Sequence, residues 1–184
     1  SDPSEVDYYA DGNFTHTNAE RYWVRGKADQ DIGSWTTRLD VDVVSDGDYL
    51  REFNSGSTSF EVSNDRFRKV FGRGFTDEDN NLRDNSFAAL RSYDNGSSLL
   101  AELTGVNDVS ETVYDADNPS PVWRLPSLTY AGLMPVGTSA GPDFSWETNA
   151  TSFWRNEGVT AQRLDLMPTL TSGIPLGRYL ESNI

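Results

Sequence analysis

Asp40 and Asp42 are the first residues whose types and spacing suggest chemistry. They stand two apart in an alternating stretch, so a strand would set both carboxylates on one face about 7 Å apart by backbone rise. Some acid/base carboxylate pairs of glycoside hydrolases show that separation, but a charged strand face accounts for the same pair without catalysis. The run Asp77-Glu78-Asp79-Asn80-Asn81 gathers the oxygen donors that calcium prefers. It lacks the internal glycine and the distal bidentate glutamate of a calcium loop, and it reads as solvated loop. His16 is the sole histidine, so a Ser-His-Asp triad would have to use it. Flanked by Thr15 and Thr17 in a polar stretch, it reads as an exposed bystander. Exposed tryptophans could form a sugar-stacking platform, although anchoring in a core or interface is the commoner role of that side chain. Asn13-Phe14-Thr15, Asn95-Gly96-Ser97 and Asn149-Ala150-Thr151 match the glycosylation sequon, with no secretory context to give it use.

Composition removes further chemistry. The 184 residues suffice for one domain. Lys plus Arg is 15 against 29 Asp plus Glu, a net charge of -14, which argues against a nucleic-acid surface or an anchor on anionic lipid and leaves basic partners open. With no cysteine there is no disulfide, thiolate nucleophile, cysteine zinc site or iron–sulfur cluster. Neither a metal nor a cofactor is expected, and no enzyme activity. Aromatics at 12% are too many for a solvated acidic tail, so the chain folds. No apolar run approaches the roughly 20 residues of a spanning helix. Ser1 to Gly12 has neither a basic nor an apolar signal region, from which a mature or excised segment is expected. A transmembrane strand, needing only about 9–11 alternating residues, is untouched by these exclusions.

The elements that must position these residues follow a period of two. From Trp35 to Val44, Trp35, Thr37, Leu39, Val41 and Val43 point one way and Thr36, Arg38, Asp40 and Asp42 the other. Tyr22 to Ile32 supplies a partner strand across Gly33-Ser34. Phe87 to Tyr93 and Leu99 to Val106 flank Asn95-Gly96, a strong hairpin signal. Val122 to Met134, Phe144 to Phe153 and Val159 to Leu170 complete seven candidate strands in one antiparallel region spanning 1–184. Two acidic stretches, Ser45 to Asn85 and Asn107 to Pro121, read as long loops. In the first, Phe67, Val70 and Phe71 share a helical face, compatible with a turn or more of helix over Asp65 to Phe71. Pro126 and Pro168 fall inside strand patterns, where proline is tolerated only at edges, bulges or ends.

Alternation has two physical explanations. In a soluble acidic β-sandwich the apolar faces meet a second sheet, and exposed Trp residues would bind carbohydrate. In an outer-membrane barrel the apolar face meets lipid and the polar face a wet lumen. Mixed charge on the Arg38, Asp40 and Asp42 face, long strands, and aromatics near strand ends (Trp35, Tyr93, Trp123, Phe153, Trp154) favour the barrel.

Particular strings then carry a resemblance. Ser45-Asp46, Tyr49-Leu50 and Phe53, directly after the Leu39 to Val44 strand, resemble the "S-D-x-x-Y-L/F-x-x-F" segment of the LptD family of lipopolysaccharide-assembly proteins, the organic solvent tolerance family. Arg124-Leu125-Pro126-Ser127-Leu128-Thr129-Tyr130 is similar to its "R-L-P-x-L-x-Y/F" strand. Phe153-Trp154-Arg155-Asn156-Glu157-Gly158 is similar to its "N-F-x-R-x-x-G" turn, and Arg163-Leu164-Asp165-Leu166-Met167-Pro168 to its "R-x-D-L-x-P" strand. The four lie in family order across Leu39 to Pro168.

The resemblance implies an all-β fold, a segment of a large antiparallel outer-membrane β-barrel. It implies insertion of lipopolysaccharide into the outer leaflet of a Gram-negative outer membrane. It also implies a plug lipoprotein like LptE and a periplasmic bridge like LptA, reached through a jelly-roll domain that this chain is expected to lack. The family's inter-domain cysteines are absent. Lumen-facing candidates under this reading are Arg38, Asp40, Asp42, Arg163 and Asp165. An acidic wall suits an anionic head group poorly unless divalent cations bridge the two.

Overall fold

Period two becomes a single meander in the computed structural model, which describes residues 20–110, 112–115, 117–137, 141–175 and 181–183. His16 and the sequon at Asn13 lie outside the described residues. Strands β1 (Trp23–Ile32), β2 (Trp35–Val44), β3 (Leu82–Ser92), β4 (Ser97–Asp108), β5 (Trp123–Pro135), β6 (Asp143–Trp154) and β7 (Ala161–Thr171) form one antiparallel sheet in chain order. A short hairpin of β8 (Gly173–Pro175) and β9 (Glu181–Asn183) follows. The large sheet is open, with β1 and β7 as its edges, and is the all-β architecture of a barrel-wall segment. No helix among the described residues is long and apolar enough to cross a membrane.

Turn chemistry sets the connections. Gly33 (φ 62°) and Gly96 (φ 79°) take the left-handed conformation that tight hairpins require. The β1–β2, β3–β4 and β5–β6 connections are short and lie at one end of the sheet, while the segment 45–81, the segment 109–122 and the turn 155–160 crowd the other. Both prolines sit where a missing amide donor is harmless. Pro126 is in the register shift between Arg124 and Ser127, and Pro168 is on the edge strand β7 opposite Trp146.

Register makes the two faces continuous. Arg25, Lys27 and Asp29 of β1 lie opposite Asp42, Asp40 and Arg38; further round, Ser127 and Thr129 lie opposite Thr151 and Asn149, which face Arg163 and Asp165. The opposite face carries Leu39, Phe87, Leu103, Leu128, Tyr130, Leu164, Leu166 and Leu170, all exposed. No second sheet covers Leu39, Val41 and Val43 among the described residues, and Leu39 keeps 38% of its surface. The sandwich reading requires that cover and does not describe this chain.

The buried apolar cluster is small and lies over the polar face. Helices α1 (Tyr49–Glu52) and α2 (Phe60–Phe71) fold back over the 44-end of β2, and Trp23, Val44, Leu50, Phe60 and Phe75 pack together there. The α2 helix starts earlier than the Asp65 expected from periodicity. Ser59 caps it by accepting the Val62 amide at 3.4 Å, and Gly72 (φ 70°) ends it. The strands β3 and β4 likewise extend beyond Phe87 and Val106, because Arg83, Asn85 and Asn107 are polar and hide the alternation.

Candidate functional site

Charge on the polar face is organised into pairs. The Asp40 carboxylate accepts from Lys27 Nζ at 3.0 Å and from Arg73 Nε at 2.9 Å. Arg73 also grips Asp29, Nη1 to Oδ2 at 2.8 Å and Nη2 to Oδ1 at 2.9 Å, and Arg38 Nε reaches Asp29 at 3.3 Å. Asp42 is 2% exposed and accepts from the Trp23 indole at 2.8 Å and from Arg83 at 2.7 Å. Both carboxylates of the Asp40/Asp42 pair are therefore engaged by cations.

Arg73 follows α2 and so reaches the sheet from the long connection, outside any strand. Its hydrogen bonds to Asp29 come first, burial opposes them, and Asp40 adds to them, so its guanidinium is held charged more firmly than usual. The wall that looks acidic in sequence is thus close to balanced at this end. Arg73, Arg83, Lys27 and Asp29 are the charge-pairing residues of this face that sequence reading overlooks. The one signal for the first two is that arginines stand inside an otherwise acidic stretch.

The "S-D-x-x-Y-L-x-x-F" residues make a clasp around Arg21. Arg21 donates to Asp46 from Nε at 2.9 Å and Nη2 at 2.8 Å, and to Glu52 from Nη1. Its guanidinium carbon sits 5.7 Å from the Tyr49 ring centroid and 5.4 Å from that of Phe53. Ser45 Oγ accepts the Tyr22 amide at 3.0 Å and donates to Asp46 at 2.7 Å, while Leu50 is buried below. Burial alone would push the Asp46 carboxyl up, but the Arg21 and Ser45 hydrogen bonds outweigh it and hold the group below the usual carboxylate range. Burial likewise acts against the Arg21 charge, and its bonds to Asp46 and Glu52 more than restore it.

Across β5 to β7 the polar face is hydroxyl and amide. Asn149 Nδ2 donates to Thr129 Oγ1 at 2.8 Å, Thr151 Oγ1 donates to Asn149 Oδ1 at 2.7 Å, and the Ser127 and Thr151 hydroxyls are 2.9 Å apart. A recess of about 650 Å³ opens there, bounded by Glu102, Arg124, Phe153 and the exposed Arg163–Asp165 pair at 2.5 Å. Arg163 and Asp165 thus share the face of Arg38, Asp40 and Asp42 but stand strands away from them.

The remaining motif residues are structural neighbours. Leu125 and Pro126 form the β5 bulge. Gly158 (φ 111°) leaves no room for a side chain, since a β-carbon would lie 2.8 Å from Arg155 Cδ and 2.9 Å from Pro119. Ser120 and Glu157 tie the same two loops, Ser120 N to Glu157 O at 3.1 Å and Glu157 N to Ser120 Oγ at 2.9 Å. Asp79 accepts from Arg51 at 3.0 Å, and no group of three acidic or histidine side chains among the described residues could hold a metal ion.

With strands, clasp and bulge in place, the comparison with known families is decisive. The family model described as LptD, LPS transport system D, matches residues 19–180. The chain belongs to the LptD family. LptD proteins are outer-membrane proteins of lipopolysaccharide transport and assembly, and the seven-stranded wall is the architecture that such a barrel uses. No curated protein and no solved structure matches the chain. The LptD motifs quoted above fall at a clasp, a bulge, a loop contact and an edge strand.

Proposed function

We propose that this chain forms part of the wall of an outer-membrane barrel that inserts lipopolysaccharide into the outer leaflet. It acts as a conduit and makes or breaks no bond. The carrying observation is that a polar face and an apolar face extend across seven antiparallel strands. In this reading Arg38, Asp40, Asp42, Arg163 and Asp165 line the lumen, and Leu39, Leu128 and Leu166 meet lipid. Short turns then face the periplasm and the crowded loops face outward, as in barrels of this class. Pairing of Asp29, Asp40 and Asp42 with arginine and lysine removes the electrostatic objection to an anionic head group, and the β5–β7 hydroxyl and amide groups offer hydrogen bonds to sugar. A lipoprotein plug like LptE and a periplasmic bridge like LptA are the partners that fit.

The test is cysteine labelling in the full-length protein in its own membrane. Cysteine at Leu39, Leu128 or Leu166 should be quenched by lipid-borne probes, and cysteine at Thr129 or Asp165 by water-soluble ones. A photo-crosslinker at Thr129 should capture lipopolysaccharide. Water-soluble quenching on both faces would sink the barrel reading; correct faces without capture would sink the transport role of this wall.

A further inference from the structure

Arg91 is a cation that the conduit reading does not use. In the half of the sheet nearest the short turns, strand register places one charge on the face of Leu39, and it is Arg91. Arg21, Arg38, Arg73, Arg83 and Arg163 each meet a carboxylate. Arg91 meets none among the described residues, and its Nε is buried without a hydrogen-bond partner. Aromatic rings hold it instead. Its guanidinium carbon lies 4.9 Å from the Tyr93 ring centroid and 5.9 Å from that of Trp35, within the range of cation–π attraction.

The level of Arg91 along the strands is that of an interface. Further round the same face, the Trp146 ring centroid lies 6.1 Å from that of Tyr130 and 5.8 Å from that of Phe144. A second aromatic pair, Trp123 with Trp154 at 5.6 Å, stands at the loop end. Trp146 and Trp154 share strand β6, and an eight-residue step at about 3.3 Å each, tilted about 40°, separates the two levels by about 20 Å of height. Outer-membrane barrels carry two aromatic girdles that flank an apolar band of about 25 Å. Trp35, Tyr93, Tyr130, Phe144 and Trp146 thus form the girdle at the short turns, and Arg91 is the charge set into it.

We propose that Arg91, framed by Trp35 and Tyr93, is a fixed site for the phosphate of a glycerophospholipid in the leaflet at the short turns. The site rests on the reading that the apolar face meets the bilayer and that these turns face the periplasm, opposite the leaflet that receives lipopolysaccharide. A guanidinium presents a planar fork of donors that matches phosphate oxygens, and it stacks on aromatic rings without giving those donors up. A charge on the lipid face costs least at head-group depth, where the phosphate lies. From Arg91 toward the loop end the same face continues as Ala89 and Phe87 on β3 and as Leu99, Ala101 and Leu103 on β4, a hydrocarbon track for the acyl chains. One cation reads the phosphodiester and not the alcohol beyond it.

The experiment reconstitutes the full-length protein into vesicles of equal phosphatidylethanolamine and phosphatidylglycerol and counts retained lipids by native mass spectrometry after a mild detergent wash. Wild-type protein should retain phospholipid of either head. Arg91→Gln should lower retention about tenfold, the equivalent of one charge-assisted hydrogen bond. Arg91→Lys, which keeps the charge and loses the fork, should fall between the two. Arg66→Gln, an exposed change on α2, should retain as the wild type does. Equal retention by wild type and Arg91→Gln, or the same loss in Arg66→Gln, overturns the proposal. With the protein in its own membrane, a photo-crosslinker at Leu99, opposite Arg91, should capture phospholipid; capture of lipopolysaccharide there overturns the proposal too. Lipid quenching of cysteine at Leu128, measured in the wild type and in both Arg91 variants, separates the two ideas. Quenching without Arg91-dependent retention fails this site alone, and absence of quenching in the wild type fails the barrel reading beneath it.

Discussion

Asp42 on β2 accepts two hydrogen bonds from Arg83 on β3, from Nη2 at 2.7 Å and Nε at 3.1 Å, at a level where the two backbones no longer pair. Side chains there do what a ladder does elsewhere. Arg83 is 1% exposed and also donates to the carbonyls of Thr76 and Asp77 in the segment 45–81. One guanidinium thus joins two strands and the loop end that crosses them.

Removing one partner of that pair should cost far more than removing both. Asp42→Ala leaves a buried guanidinium without its counter-charge, a loss of about 3–5 kcal/mol. Arg83→Met with Asp42→Leu should recover most of it, because apolar replacement of a buried pair is often neutral or better. Urea unfolding of the two variants against the wild type checks this. A double variant no more stable than Asp42→Ala would show that the Thr76 and Asp77 contacts of Arg83, and not the ion pair, carry the effect.

Asn85 is the second substitute for the ladder. Its side chain accepts the Asp42 amide at 2.8 Å and donates to the Asp42 carbonyl at 3.1 Å, imitating a neighbouring strand. Asn107 accepts the Val44 amide at 2.9 Å. Asn85→Ala leaves both Asp42 backbone groups without a partner, at about 1–3 kcal/mol each where buried. Amide exchange should quicken at Asp42 and stay unchanged at Leu39, which lies within the paired part of β2. Quickening at both positions would mean that the seam is held by the sheet as a whole.

Much of the architecture is legible in the sequence because alternation and turn chemistry are local. Trp35 to Val44 is a strand to the residue, and Asn95-Gly96 marks the β3–β4 hairpin. The pairing of charges is not local. Asp40 meets Arg73 only because α2 folds back over the sheet, and no spacing in the chain encodes that return. Polar strand ends fail for a related reason: Asn85 and Asn107 serve backbone groups, so they break the pattern that reveals a strand. The residues Ser45, Asp46, Tyr49 and Phe53 are visible as a motif, while Arg21, the residue they enclose, carries no signal of its own.

The clasp on Arg21 gives a pH dependence with a definite sign. A carboxyl held below its ordinary value, as Asp46 is, stabilises the fold at every pH above the unfolded value of about 3.9. That contribution disappears as pH falls through the folded value. Protease sensitivity of the segment 45–53 should be flat from neutral pH to about 5 and should rise only in stronger acid. In Asp46→Asn the acid-induced rise should shrink, with higher sensitivity already present at neutral pH. An unchanged acid transition in that variant would assign it to another carboxyl.

Glycine on the apolar face provides a final, internally controlled prediction. A β-carbon at Gly132 would lie 2.2 Å from Trp146 Cζ2, so the indole covers the bare backbone of the neighbouring strand. Gly132→Ala must push that ring aside and disturb its stack with Phe144, where the ring centroids are 5.8 Å apart. Overpacking of this kind costs about 1–3 kcal/mol. Gly26 lies on the same face with nothing within 4 Å of its would-be β-carbon, so Gly26→Ala should be neutral or slightly stabilising, the chain losing freedom only when unfolded. The cost at Gly132 should vanish in a Trp146→Ala background, where no ring has to move. If Gly132→Ala is as harmful there as in the wild type, the glycine answers to the strand backbone and not to the tryptophan above it.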